Sequence, residues 1–291
     1  MNEMKKDKRW PATDEVYIQA QANTQAQVQR QVARQTPAWA SENGLGAEAT
    51  SAVIRFESVS KAYGDRLVLD NLNLSIGKGE FMMVIGGSGS GKTTMLKLIN
   101  GLLAPTSGRV YVDGKDISKM NQTLLRRNIG YVIQGIGLFP HMSVRKNIAY
   151  VPDLWNRRDK VRTARAVESL ARMMGLDEEI LDRYPSELSG GQRQRVGIAR
   201  ALAAHPEILL MDEPFGAVDE ITRKMLQNEL ARIHRETGVT IFFITHDIKE
   251  ALRLGTRVLV MNRGRIEQLG APDEILHAPQ TAFVRELVTD R

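Results

Sequence analysis

The chain has 291 residues, 42% of them hydrophobic and 25% charged, with a net charge of +6 and no cysteine. That supplies enough apolar material for a core, and it excludes disulfides and thiolate metal sites. No apolar run approaches the roughly 18 residues that a membrane span needs, and MNEMKKDKRW at the start has no apolar stretch behind it to make a secretory signal.

The basic residues are spread along the chain, so +6 reads as ordinary surface charge; the alternative is an anionic partner such as nucleotide, nucleic acid or a lipid face. The expectation is a cytosolic chain whose role at a membrane comes through partners.

Residues 1–51 differ in composition from the rest of the chain. Between 19 and 35 the chain reads QAQANTQAQVQRQVARQ, with seven glutamines and few large apolar residues. Such a tract buries little surface, so it is expected to be disordered or a marginal solvated helix, with docking to a partner as its functional reading.

Alternation starts at Val53. VIRFESVSKAY reads as a strand and NLNLSI (71–76) as another. EFMMVIG (80–86) is nearly continuous in apolar residues, as a parallel strand buried on both faces should be. A Gly-rich loop and the helical TTMLKLINGLL come next, then strands in GRVYVDG and IGYVIQ, the latter ending on Gln134. VRTARAVESLARMM (161–174) places Val161, Ala164, Val167, Leu170, Ala171 and Met174 on one helical face. Three apolar strands come later, in EILLMDE (207–213), VTIFFIT (239–245) and RVLVMN (257–262), each preceded by a helical stretch. Alternating strand and helix predict an α/β fold with a mainly parallel sheet, interrupted by a mostly helical insert over about 137–197.

GGSGSGKT (86–93) fits the pattern G-x-x-x-x-G-K-[ST] between a strand and a helix. Gly86, Gly87, Gly89 and Gly91 permit positive φ and a close approach of backbone to phosphate. The backbone N–H groups of the loop, from Gly86 through Ser88 and Ser90 to Thr94, and the helix N-terminus behind them face an anion. Lys92 is placed to reach the β- and γ-phosphates, and the Thr93 hydroxyl to ligate Mg²⁺. The loop therefore predicts ATP and Mg²⁺ as ligands. An acidic partner is expected at a neighbouring strand end, and ILLMDEP (208–214) supplies it. Asp212 is assigned to Mg²⁺, and Glu213 to the attacking water as general base.

LSGGQRQR (188–195) leads from Ser-Gly-Gly into a second helix, a further candidate anion site far from the first. Alone it reads rather as a plain N-cap and turn. One nucleotide needs no second such loop from the same chain, so the pair suggests a dimer. Ser189, Gly190, Gly191 and Gln192 of one copy would then cover the γ-phosphate held by Lys92 of the other.

With these motifs in this order, the sequence from Val53 to about Gly270 resembles the ATP-binding cassette (ABC) transporter ATPases. The resemblance implies a P-loop NTPase (RecA-like) core with an N-terminal antiparallel β subdomain and a helical subdomain, with a short helical tail over 271–291. It also implies roles for single residues. Tyr63, 23 residues before Gly86, matches the aromatic that stacks on adenine. Gln134 matches the glutamine that senses Mg²⁺ and water. Asp219 of GAVD (216–219) matches the aspartate that crosses the dimer interface, and His246 of ITHD the histidine at the γ-phosphate.

Soluble family members acting on translation usually carry two cassettes, and DNA-repair members a long coiled-coil insertion. This chain shows one cassette and no such insertion, so no nucleic-acid partner is expected, though a soluble ATPase acting on nucleic acid is the second-class alternative. A stand-alone importer subunit fits best. QGIGLFPHMSVRKNIAYVP (134–152) closely resembles the ATPases that import quaternary amines such as glycine betaine, carnitine and choline; an importer for an amino acid or sulfonate is the alternative. In such importers this region receives coupling helices, and Leu138, Phe139 and Met142 are large apolar residues for that contact. The implied partners are a second copy, transmembrane permease subunits and, indirectly, an extracytoplasmic solute-binding protein. The implied location is peripheral, on the cytoplasmic face of the membrane. Many relatives in that subfamily continue into tandem CBS domains. The sequence ends at Arg291, so sensing of ionic strength through such domains is not expected.

Overall fold

The computed structural model describes residues 52–155, 160–216 and 218–289. The Gln-rich tract, with its expected disorder and docking role, lies outside them.

The described chain opens with a long hairpin. β1 (Ala52–Tyr63) pairs antiparallel with β2 (Arg66–Gly77), so NLNLSI is only the second half of a longer strand. β3 (Phe81–Gly86) runs into the Gly-rich loop and α1 (Lys92–Ile99). β4 (Ser107–Val112) and the short β5 (Lys115–Asp116) complete a four-stranded antiparallel sheet of order β2-β1-β4-β5. α2 (Gln122–Arg127) precedes β6 (Ile129–Val132), and Asn121 caps α2 by accepting from the amides of Thr123 and Leu124.

Three helices come next: α3 (Val144–Trp155), α4 (Lys160–Met173) and α5 (Gly190–Leu202). The remaining elements alternate as β7 (Ile208–Asp212), α6 (Glu220–Thr237), β8 (Thr240–Ile244), α7 (Ile248–Leu254) and β9 (Arg257–Asn262). A hairpin turns back into β10 (Arg265–Gly270), and the short α8 (Pro272–His277) and α9 (Ala282–Thr289) close the described chain.

The second sheet has the order β10-β9-β3-β8-β7-β6. β9, β3, β8, β7 and β6 are mutually parallel, and β10 pairs antiparallel at the edge. Burial on both faces explains the unbroken apolar run of β3. Phe81, Met83 and Ile85 enter one core with the helices α3 to α7, whereas Met82 and Val84 enter another with α1 and the antiparallel sheet. Alternate side chains of a strand point to opposite faces, so a strand with a core on each side has no room for a polar position.

Two expectations change. In α4 the buried face is Thr163, Val167, Leu170 and Ala171, with Met174 just past its end, while Val161 is 64% exposed. The hydroxyl at position 163 obscured the i, i+4, i+7, i+8 spacing that sets the face. β6 also ends at Val132, before Gln134, because Gly135, Ile136 and Gly137 all have positive φ (83°, 74° and 50°) and no strand continues through such a run.

Candidate nucleotide site at the strand ends

Parallel sheets bind ligands outside the carboxyl ends of their strands, where connections leave in opposite directions. Here four neighbouring strands, β3, β8, β7 and β6, deliver in turn the Gly-rich loop, His246, the pair Asp212–Glu213 and Gln134. Residues scattered over more than 150 positions of sequence thus meet along one edge.

The loop after β3 is shaped by glycines that nothing else can replace. Gly86 has φ 149°, and a Cβ there would sit 2.1 Å from the Met261 carbonyl oxygen. Gly91 has φ 101°, and its Cβ would lie 2.5 Å from Leu69 Cδ2. Gly91 occupies the N-cap of α1 and provides no side-chain cap, so the first amides of that helix point into the loop without a side-chain acceptor. Lys92 Nζ donates to the carbonyl oxygens of Gly86 (2.8 Å) and Gly87 (2.9 Å) and to Ser90 Oγ (3.3 Å). Partial burial lowers its pKa, opposed by the negative charges of Glu213 and Asp212. Its ammonium is therefore held in the loop by weak dipoles that phosphate oxygens outcompete.

Thr93 Oγ1 donates to Asp212 Oδ1 at 3.3 Å, which joins the phosphate loop to β7. Burial pushes the Asp212 carboxyl above the ordinary carboxylate range, with the Thr93 hydrogen bond pulling the other way and Glu213 adding to the rise. A divalent cation at this point would reverse that balance. The donor set is a hydroxyl and carboxylate oxygen, which suits Mg²⁺ completed by phosphates and water. Among the described residues no group of three or more His, Cys, Asp or Glu is placed to hold a metal ion by itself.

Glu213 has φ 47°, a left-handed conformation that few non-glycine residues adopt and that marks a constrained position. Its amide donates to the Ile244 carbonyl at 3.0 Å, fixing the backbone against β8. Its carboxylate meets two of the expected partners, accepting from Gln134 Nε2 at 3.3 Å and lying 3.8 Å from His246 Nδ1. Tyr63 is exposed at the end of β1, facing Arg66 across the hairpin, and Arg66 Nη2 reaches within 4.0 Å of the Cβ position of Gly89. The hairpin tip therefore borders the phosphate loop.

The other expected residues are not gathered here. Ser189 caps α5 in a reciprocal box: Gln192 N–H donates to Ser189 Oγ at 3.2 Å and Ser189 N–H to Gln192 Oε1 at 2.9 Å. Asp219 caps α6 by accepting from Thr222 N–H at 2.9 Å. Among the described residues neither cap bonds to the groups around Lys92.

Several supporting residues escape a reading of motifs. Asp247 caps α7 through the amides of Lys249 and Glu250, and its own amide donates to Thr245 Oγ1, which braces the loop carrying His246. Behind it the buried Glu250 accepts from Gln227 Nε2 at 2.8 Å, tying α7 to α6. Buried Asn147 on α3 holds the segment 139–143, accepting from Phe139 N–H and donating to the carbonyls of Phe139, Met142 and Ser143. Phe139 and Met142 are half-buried rather than freely presented, and the Phe139 ring lies 4.6 Å from that of Tyr150. The only sequence signal for these partners is a polar residue on an otherwise apolar helix face.

A family profile described as ABC transporter matches residues 69–216. The chain belongs to the ABC transporter family. It is 49% identical over 81% of its length to the glycine betaine/carnitine/choline transport ATP-binding protein OpuCA of Bacillus subtilis (strain 168), and the match covers 62% of that protein. The chain thus spans less than two thirds of that relative. A sulfate/thiosulfate import ATP-binding protein, CysA of Caulobacter vibrioides, is 49% identical over 79% of the chain and 68% of its own length. Among solved structures, a dimeric ATP-binding cassette in a post-hydrolysis state, bound to ADP and Pi, superposes with a TM-score of 0.71 at 35% identity, covering 75% of this chain and 98% of that one. No helix among the described residues is long and apolar enough to cross a membrane.

Proposed function

We propose that this chain binds and hydrolyses ATP as the energy-supplying subunit of a transporter, acting as a dimer of two copies. The observation that carries the reading is the meeting of Gln134, Glu213 and His246 beside the Thr93–Asp212 pair and the Lys92 loop. A carboxylate held at a strand end against an amide and an imidazole suits a base that orients water for in-line attack on a terminal phosphate.

The loop amides from Gly86 to Thr94 and Lys92 bind the phosphates, while Tyr63 stacks on the base. Thr93 and Asp212, with Gln134 nearby, would hold Mg²⁺, which would supply neutralisation of the phosphate charge. Glu213 accepts a proton from water as its oxygen attacks the γ-phosphorus and the bond to the β-γ bridging oxygen breaks. ADP and phosphate are the products. His246 donates a hydrogen bond to the γ-phosphate, and the partner copy's Ser189 to Gln192 segment covers it, with Asp219 at the junction. ATP thereby closes two copies head to tail, and hydrolysis releases them.

Closure is transmitted to transmembrane permease subunits, which places the chain on the cytoplasmic face of the membrane. An extracytoplasmic solute-binding protein delivers the solute, which we assign to the glycine betaine, carnitine and choline class. The segment 134–152 and the OpuCA likeness support that class. The equal identity to a sulfate/thiosulfate import protein supports a second reading, import of an oxyanion.

Glu213→Gln tests the chemistry. It is expected to keep ATP binding, lower turnover by about 10²- to 10⁴-fold and accumulate an ATP-bound dimer in size-exclusion chromatography. Turnover near the parent rate would remove Glu213 from the role of base. Reconstitution with the membrane subunits, comparing stimulation of ATPase by glycine betaine, choline, carnitine and sulfate, decides between the two solute classes.

A further inference from the structure

The segment after Gln134 carries an unusual backbone. Gly135, Ile136 and Gly137 all have positive φ, and Ile136, at 74°, is β-branched, a residue type that rarely accepts the left-handed region. A strained run of this kind persists only where its surroundings hold it. The local turns, Ile136 N–H to the Ile133 carbonyl (3.1 Å) and Gly137 N–H to the Gly135 carbonyl (2.9 Å), are short-range and do not anchor it to the rest of the fold.

The anchor is on α5. Arg200 donates from Nη1 to the Gly137 carbonyl at 2.9 Å and from Nη2 to the Ile136 carbonyl at 3.1 Å. Its guanidinium also lies 5.7 Å from the centre of the Phe139 ring. One turn earlier, Gly197 leaves room for the same segment, since a Cβ there would sit 3.2 Å from Ile136 Cγ2. Gly197 and Arg200 are three residues apart and share a helix face. Burial lowers the Arg200 pKa. A partly desolvated cation whose partners are two carbonyls and a ring is costly unless those dipoles are held in place. The planar fork fits two adjacent carbonyls, which a lysine ammonium does not match.

We propose that Arg200 is a positioning residue that locks the strained segment 135–137 onto α5, so that Gln134 at one end of the segment and Ser189 to Gln192 at the start of α5 move as one body. This role rests on the hydrolytic function proposed for the chain. Gln134 bonds Glu213 within its own site, whereas the α5 N-terminus, capped by Ser189, is the surface that the proposed dimer turns to the partner's site. Arg200 then couples the state of one site to the closing surface offered to the other, without touching nucleotide itself.

The test uses the full chain with Arg200→Met, Arg200→Lys and the double variant Arg200→Met/Ile136→Gly. In Arg200→Met, amide hydrogen exchange over 135–138 should accelerate at least tenfold, kcat should fall at least tenfold, and nucleotide affinity should stay within about threefold. Arg200→Lys should fall between it and the parent. Glycine at 136 takes positive φ without strain, so the double variant should recover at least threefold in kcat; a residue that merely adds stability would not be rescued in this way. Unchanged exchange over 135–138 in Arg200→Met overturns the proposal, as does a kcat within twofold of the parent alongside faster exchange. The exchange measurement needs no activity. A parent chain that fails to hydrolyse ATP therefore counts against the proposed function, while the exchange result still decides the role of Arg200.

Discussion

Two helix N-termini of this molecule are capped in opposite ways. At α1 the cap is Gly91, with φ 101° and no side chain, and the amides behind it are left for an anion. At α5 the cap is Ser189, whose hydroxyl oxygen already accepts from Gln192 in a reciprocal box. The first is built to be completed by a ligand and the second is complete in isolation. The difference teaches that one terminus leaves its amides without a side-chain acceptor, which suits the phosphate site proposed for a single chain. The other presents a preformed surface, whose exposed hydroxyl keeps its hydrogen free to donate. In the proposed closed dimer the second would be added to the first without refolding either.

The contrast between the two termini breaks most sharply at Lys92. Lys92→Met removes the charge held over the loop and is expected to weaken ATP binding by about 10- to 100-fold, measured by titration with a fluorescent ATP analogue. Retained affinity would show that the amides of α1 suffice alone. Gly91→Ala comes next, since a Cβ there meets Leu69 and the positive φ is strained. We expect a stability loss of about 1–3 kcal/mol by denaturant unfolding, together with weaker nucleotide binding.

Ser189→Ala sharpens the other half. The cap loss should cost about 1 kcal/mol, a fall of roughly 2–4 °C in Tm. Nucleotide binding by the single subunit should be unchanged. The ATP-trapped dimer expected with Glu213→Gln should weaken in the double variant, measured by its dissociation on dilution. An equal effect on monomer binding would mean that Ser189 belongs to its own chain's site.

The smallest effect concerns pH. Burial raises the Asp212 carboxyl above its ordinary value of 3.8, and Glu250 is raised for the same reason. The folded state then holds protons that the unfolded chain has released, so the stability these groups contribute is present below about pH 4 and lost as pH rises through the folded values. Asp212→Asn should flatten that decline in the nucleotide-free chain without abolishing it, because Glu250 remains. Identical Tm profiles from pH 4 to 7 would exclude Asp212 as a source.

Sequence and structure divide this protein along a physical line. The β3 loop, the apolar strand ending in Asp212 and Glu213, and the helix start at Ser189 were legible because each depends on local rules. Glycine is needed where φ is positive, a buried strand is apolar throughout, and serine is a favoured helix N-cap. Local rules also set the α/β alternation. They misplaced the buried face of α4, where Thr163 occupies an apolar position, and they carried β6 too far toward Gln134.

What no local rule supplies is strand order. The order β3-β8-β7-β6 sets Glu213 beside Gln134 and His246, residues 79 and 33 positions away from it, because parallel neighbours end at one edge. The grip of Arg200 on residues 136 and 137 likewise spans 64 and 63 positions and shows in the sequence only as one more arginine on a helix. The sequence alone determined which groups are suited to phosphate, since that chemistry is local. The packing of sheet and helices decided which groups act together, because distances between remote residues exist only in the folded chain.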